Sequence, residues 1–137
     1  MLRSSVLVWL RLFRVFQKID RVSEVHLRSW GLSTAQFDVL AHVGASRSIT
    51  QQELADHLLV TKGNISQLID RMEKLDLLRR YQDKRSNNLV LTEKGQDLYR
   101  LVVPAQEDLV TSQFSALSAE EISQLRYLLR KLDLSLE

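Results

Sequence analysis

Between Thr50 and Met72 two short helical patterns stand in tandem with only a turn between them. The first, TQQELADHL, opens on Thr50 with Glu53 three residues on, the spacing of a capping box, and turns Leu54, Ala55 and Leu58 to one side. The second, TKGNISQLIDRM, opens on Thr61, whose hydroxyl can accept an orphan backbone N–H. Its residues Ile65, Leu68, Ile69 and Met72 recur at i, i+3, i+4 and i+7, the signature of one apolar helical face. Ala55 is small enough to let the two helices cross closely, and Ile65 is placed to pack back on the first. Two capped helices joined by so short a turn, Leu59–Val60, make a helix-turn-helix. The outer side of the second, a recognition helix over 61–75, carries Lys62, Asn64, Ser66, Gln67 and Arg71. Short amides, hydroxyls and cations with few acids suit the edges of base pairs in a major groove. The same helix taken alone also fits an ordinary solvated surface, so its flanks decide the matter. At the turn, Leu59 stands where Gly is the comfortable residue. A positive φ there costs about 1 kcal/mol, and a wider turn avoids it.

The flank on the C-terminal side is a hairpin. LLRRYQ (77–82) and NLVLT (88–92) are strand-like runs separated by a polar tip without Gly, in which Asn87 and Asn88 are expected to take the left-handed conformation. A hairpin directly after a recognition helix is a wing, and its tip carries Asp83, Lys84 and Arg85. An arginine at the end of a thin hairpin can enter a narrow, A·T-rich minor groove. Asp83 is a poor neighbour for phosphate, so its expected role is to pair with Arg85 and orient it. In isolation the DKR triplet reads as a solvated turn whose ion pair contributes little; behind a helix-turn-helix the DNA reading prevails.

Long helices enclose this unit. Residues 5–29 read as one helix with a cationic stripe of Arg11, Arg14, Lys18, Arg21 and Arg28. The rest of its perimeter holds Trp9, Leu12, Phe13, Val15, Phe16, Ile19, Val22 and Val25, a face broader than one core requires. Gly31 is expected to stop it. Ser33 with Gln36 caps a second helix, and Thr92 caps a later one whose apolar stripe runs to about residue 115. Pro104 falls inside that stripe and is expected to kink or locally break it. Ser118 with Glu121 opens a last helix, where Ile122, Leu125, Leu129 and Leu132 repeat at heptad-like spacing. First and last helices both carry surplus apolar face, which a second copy of the chain would cover.

LSTAQFDVL (32–40), TQQELADHLLVTKGNISQLIDRMEKLDLL (50–78) and DKRSNNLVLTEKG (83–95) together resemble the MarR family of winged-helix transcriptional regulators, over about residues 30–100. The resemblance implies homodimers that bind pseudo-palindromic operators in double-stranded DNA, the recognition helices in adjacent major grooves and the wing arginines in the flanking minor grooves. Carried over by position, Thr61, Lys62, Asn64, Ser66, Gln67 and Arg71 become groove contacts, and Arg85, with Lys84 beside it, the wing-tip cation. The chain departs from the family pattern at Leu59, where Gly is usual, and in a slightly short wing. The fold implied is mainly α: a winged helix-turn-helix with a small β-hairpin wing over 31–95, and dimerisation helices over 1–30 and 96–137, in one domain.

Composition narrows the function classes. With 137 residues, 45% apolar, one Pro and four Gly, the chain reads as one domain with a real core. It has no cysteine, which excludes disulfides and thiol redox sensing. No apolar run approaches the ~18 residues of a membrane span, and the arginines at 11 and 14 argue against a signal peptide, so a cytoplasmic protein is expected. The net charge of +2 is unevenly spread, with positive excess over residues 1–30 and 61–94. His26, His42 and His57 form no H-x-x-x-H pair, so neither metal nor cofactor is expected. The acid pairs Glu107–Asp108 and Glu120–Glu121 are adjacent in sequence and diverge on a helix, and no catalytic motif appears. An enzyme is therefore not expected. The reading is a dimeric DNA-binding regulator, a repressor relieved by a small aromatic ligand held near Phe13, Phe16, Trp30 and Phe37. The alternatives are a winged-helix protein-interaction module that does not bind DNA and a metal-responsive regulator.

Overall fold

The structure, a computed structural model, describes residues 1–58 and 62–136, for residues 62 and 63 the backbone alone. Its elements run α1 (Ser4–Ser29), α2 (Thr34–Ala45), β1 (Ile49–Thr50), α3 (Gln51–Leu58), α4 (Lys62–Lys74), β2 (Leu78–Asp83), β3 (Ser86–Leu91), α5 (Glu93–Gln113) and α6 (Ala119–Ser135). Of the caps read from sequence, those at Ser33, Thr50, Thr92 and Ser118 form, and that at Thr61 lies outside the described residues. Ser33 Oγ accepts the Gln36 N–H at 3.0 Å while Gln36 Oε1 accepts the Ser33 N–H at 2.9 Å. Thr50 with Glu53 and Ser118 with Glu121 repeat the reciprocal bond.

Gly31 ends α1 at φ +77°, its N–H on Arg28 O and the Leu32 N–H on Leu27 O, both at 3.0 Å. This Schellman closure satisfies two orphan carbonyls, and it buries Leu27 and Leu32 in the core. α4 stops the same way without a glycine. Asp76 takes φ +59°, and the Leu77 N–H reaches Met72 O at 3.0 Å. Asp tolerates that conformation better than most residues because its short side chain bonds locally.

The expected hairpin wing forms from β2 and β3, and a third strand extends it: the antiparallel sheet runs in the order β1-β3-β2, with Ile49 opposite Leu89. Two residues are too few to show a strand period, so Ile49–Thr50 was not visible in the sequence. At the wing tip the left-handed residue is Lys84, at φ +58°, not Asn87 or Asn88. Asp83 faces Ser86 across the hairpin, which leaves a two-residue loop of Lys84 and Arg85; such loops require a positive φ at their first or both positions. Asn88 instead sits buried in β3, accepting from Ser48 Oγ at 3.2 Å. Finally, Pro104 does not break α5, which is one helix from Glu93 to Gln113. Arg100, whose carbonyl loses its helical partner to the proline, is solvent-exposed, and water can take the bond.

One core joins the elements: Val39, Leu40 and Val43 of α2, Leu54 and Ala55 of α3, Ile65, Ile69 and Met72 of α4, Leu78, Leu89 and Leu91 of the sheet, and Val102 and Val103 of α5. Two glycines mark close approaches. Tyr99 of α5 lies over Gly44, where a Cβ would stand 2.3 Å from its ring. At the start of α5, a Cβ on Gly95 would meet the Leu77 carbonyl oxygen at 1.9 Å.

A polar chain crosses the α1–α5 contact. Trp30 Nε1 donates to His26 Nε2 at 3.2 Å, so the other ring nitrogen, Nδ1, carries the proton and donates to Gln106 Oε1 at 2.9 Å. Gln106 Nε2 donates onward to Ser23 Oγ at 2.9 Å. Gln106 and Ser23 are buried, and among the described residues no buried side-chain polar atom lacks a partner. The outer surfaces of α1 and α6 differ sharply from this. Trp9, Phe13, Phe16 and Val25 are exposed, and α6 has no buried residue at all while presenting Tyr127, Leu128, Leu132 and Leu134.

Candidate nucleic-acid interface

The side of α4 opposite its buried Ile65, Ile69 and Met72 carries Asn64, Gln67, Arg71 and Lys74, all exposed. Spacings of three, four and seven set these four in one row. Lys74 joins the row beyond the residues the sequence motif names, and its place three residues after Arg71 and seven after Gln67 is the signal for it. Ser66 is placed differently. It is half-buried, and both its carbonyl and its Oγ accept from Arg80 Nη2, at 3.0 and 3.3 Å. Its hydroxyl faces β2 rather than the open side of the helix, which corrects its expected place in the groove-facing row. Thr61, the turn at Leu59 and the side chain of Lys62 lie outside the described residues.

The wing brings Lys84 and Arg85 to the exposed end of the β2–β3 hairpin. Arg85 shares an open cleft of about 290 Å³ with Thr50, Gln51 and Gln52 at the start of α3 and with Ile65 of α4. The wing tip, the front of α3 and the recognition helix thus border one concavity. The expected Asp83–Arg85 pair is absent: among the described residues, the ion pairs are Arg28–Glu24, Arg79–Asp76, Arg100–Asp97 and those of Arg80 with Asp70 and Glu73. The two-residue loop explains this, because Asp83 is still in β2 and opposite Ser86 while Arg85 lies past the reversal.

The four aromatics expected to line a ligand pocket are not brought together. Phe13 and Phe16 stand 14 to 17 residues before Trp30 along α1, about 21–25 Å at the helical rise, and are 51% and 64% exposed. Phe37 packs half-buried against the core. Trp30 lines a cleft of about 360 Å³ with Leu32, Leu75, Leu77, Leu98 and Leu101, bordered by Lys94 and Asp97. His42 and His57 stack with ring centroids 6.0 Å apart, but among the described residues no three His, Asp or Glu side chains converge as a metal site requires.

A short capped helix, a second helix with an exposed polar row, and an arginine-tipped three-stranded wing define the winged helix-turn-helix class of DNA-binding proteins. Residues 30–86 match the model of the MarR family. An uncharacterized HTH-type transcriptional regulator of Bacillus cereus is 36% identical over 121 residues, covering 88% of this chain and 82% of its own. The crystal structure of AbsC, a MarR family transcriptional regulator from Streptomyces coelicolor, superimposes with a TM-score of 0.91 at 26% identity, covering 99% of this chain and 97% of that one. A mutant MarR from E. coli, solved in complex with operator DNA, does so with a TM-score of 0.83 at 29% identity, covering 96% and 98%. The chain belongs to the MarR family: it is a DNA-binding transcriptional regulator and not an enzyme. Among the described residues no helix is long and apolar enough to cross a membrane.

Proposed function

We propose that the chain acts in the cytoplasm as a homodimeric repressor of a pseudo-palindromic operator. Two α4 helices enter adjacent major grooves, reading bases through Asn64, Gln67 and Arg71, with Thr61 and Lys62 at the entry and Lys74 toward phosphate. Arg85 enters the flanking minor groove with Lys84 beside it, and Asp83 sets the start of the tip. Residues 31–95 form the DNA lobe, and 1–30 with 96–137 the dimerisation helices. The observation that carries this reading is the shared concavity of Arg85, the start of α3 and α4, next to the exposed row on α4. The apolar faces of α1 and α6, uncovered in a single chain, support the dimer. An operator complex of a MarR protein with the same fold supports the DNA partner.

Relief by a small aromatic ligand belongs to the same reading. The supporting feature is the largely apolar cleft beside Trp30, between the end of α1, the end of α4 and the start of α5, where an occupant would alter how the DNA lobe sits on the long helices. A dimer reads two half-sites only when its recognition helices stand about one DNA turn apart, ~34–36 Å. A ligand that lowers operator affinity tenfold needs a coupling of about 1.4 kcal/mol, and operator must weaken the ligand by the same factor. Selection of bound duplexes from a random pool tests the first part: a two-fold-related motif is expected, and enrichment of no motif overturns it. Calorimetry with aromatic carboxylates and phenols, with and without operator, tests the second; equal affinity in both states overturns the ligand control.

A further inference from the structure

Among the described residues, the only ion pairs that join separate elements of the fold are those of Arg80, in the middle of β2. The other three each span three or four residues of exposed surface. The Arg80 side chain is 23% exposed, and its guanidinium grips α4 at three places. Nη1 meets Asp70 Oδ1 at 2.6 Å and Glu73 Oε1, and Nη2 donates to Ser66 O at 3.0 Å and Ser66 Oγ at 3.3 Å. Nε donates to Gln51 Oε1 at the start of α3, at 3.0 Å. The backbone N–H of Arg80 donates to Glu73 Oε2 at 3.1 Å, so an α4 carboxylate also covers the outer edge of β2, an edge strand of the sheet.

Ser66, Asp70 and Glu73 follow at spacings of four and three, so they form a row along one flank of α4. That flank lies between the buried face and the exposed row of Asn64, Gln67, Arg71 and Lys74. A planar fork with five donors, held by α3, α4 and β2 together, fixes both the roll of α4 about its axis and its distance from the wing strand. Roll matters here because every base-reading side chain turns with the helix. The wing distance matters because β2 leads within five residues to Arg85. Two reading heads tethered at the right span bind as one ligand with high effective concentration, and a loose span forfeits that gain.

We propose that Arg80 is a positioning residue for sequence recognition: it sets α4 and the Arg85 wing in the one mutual geometry that reads major and minor groove together. It touches no DNA itself. This rests on the operator reading above, and it reaches beyond it to a residue outside the DNA surface that controls specificity.

The test is a double-mutant cycle between Arg80 and Arg85, which do not bond each other. Operator and random-sequence duplex are titrated with the wild-type dimer, Arg80→Lys, Arg85→Ala and the double variant, after urea unfolding has established that each is folded at the assay temperature. Lys keeps the charge but cannot span Gln51, Ser66 and both carboxylates at once. In Arg80→Lys the ratio of operator to random-duplex affinity is expected to fall about tenfold, with random-duplex affinity within twofold of wild type. The loss caused by Arg85→Ala should shrink at least threefold in that background. If Arg80→Lys does not hold the native fold, Glu73→Gln takes its place in the cycle, with the same directions expected. A wild-type protein that discriminates, together with an unchanged ratio and an Arg85 effect of equal size in both backgrounds, overturns the role of Arg80 alone. A wild-type protein that binds operator no better than random duplex overturns the operator reading and the role of Arg80 with it.

Discussion

The carbonyl oxygen of Leu77 occupies the space that a side chain at Gly95 would need, 1.9 Å from the position of its Cβ. The close approach is held by Thr92, whose N–H reaches Leu77 O at 3.1 Å and whose Oγ1 donates to Asp76 O while accepting the Gly95 N–H. Gly95→Ala must push the start of α5 off β2. Overpacking against backbone costs about 1–3 kcal/mol, so the urea midpoint should fall with an unchanged slope. A midpoint equal to wild type would show that the approach is looser than described.

Gln106 is the hinge of the polar chain between α1 and α5. Gln106→Leu takes the acceptor from the half-buried His26 Nδ1–H and the donor from the buried Ser23 Oγ. Each unsatisfied buried group costs about 1–3 kcal/mol. Destabilisation in urea, with altered Trp30 fluorescence because Trp30 bonds the same imidazole, is the expected result. Wild-type stability and emission would mean that water replaces the amide.

On DNA, two positions of the exposed row should behave differently. Gln67→Ala is expected to relax base preference at one operator position, at a cost of about 1–3 kcal/mol. Lys74→Ala should weaken all duplexes alike and reduce the salt slope by roughly one. Arg85→Ala should cost about 1–3 kcal/mol, mostly at A·T-rich flanks. Equal loss on every flank would remove Arg85 from the minor groove.

Leu132→Glu places a charge on the exposed face of α6, at 47% exposure in the single chain. The lobe should keep its fold, since no core residue is touched, while sedimentation at micromolar concentration shows monomer. Dimers that persist would move the interface away from α6.

Much of this architecture is legible in the sequence because it is encoded locally. Ser33 with Gln36, Thr50 with Glu53, Ser118 with Glu121, and Gly31 each mark a helix end within four residues. What escaped is encoded at a distance or against propensity. Ile49 becomes a strand only because Leu89 lies beside it. Asp76 and Lys84 take positive φ where a glycine would announce itself. At the interface, the exposed row on α4 follows from helical period, whereas the diversion of Ser66 toward Arg80 does not. The partners of that guanidinium, Gln51, Ser66, Asp70 and Glu73, are 7 to 29 residues away, and no periodicity reports them.

A 17-residue helix without a single buried residue, such as α6, has little reason to persist in water by itself. Under the dimer reading its order is borrowed from another molecule. The final event in the life of a newly made chain is then an encounter rather than a collapse, and its rate rises with the number of chains already made. Helical content should grow with dilution reversed, and melting should shift upward with concentration. A cell making few copies would hold chains whose DNA-reading lobe is finished while the α6 that would join them is not. A threshold of expression would then lie between having the protein and having the regulator.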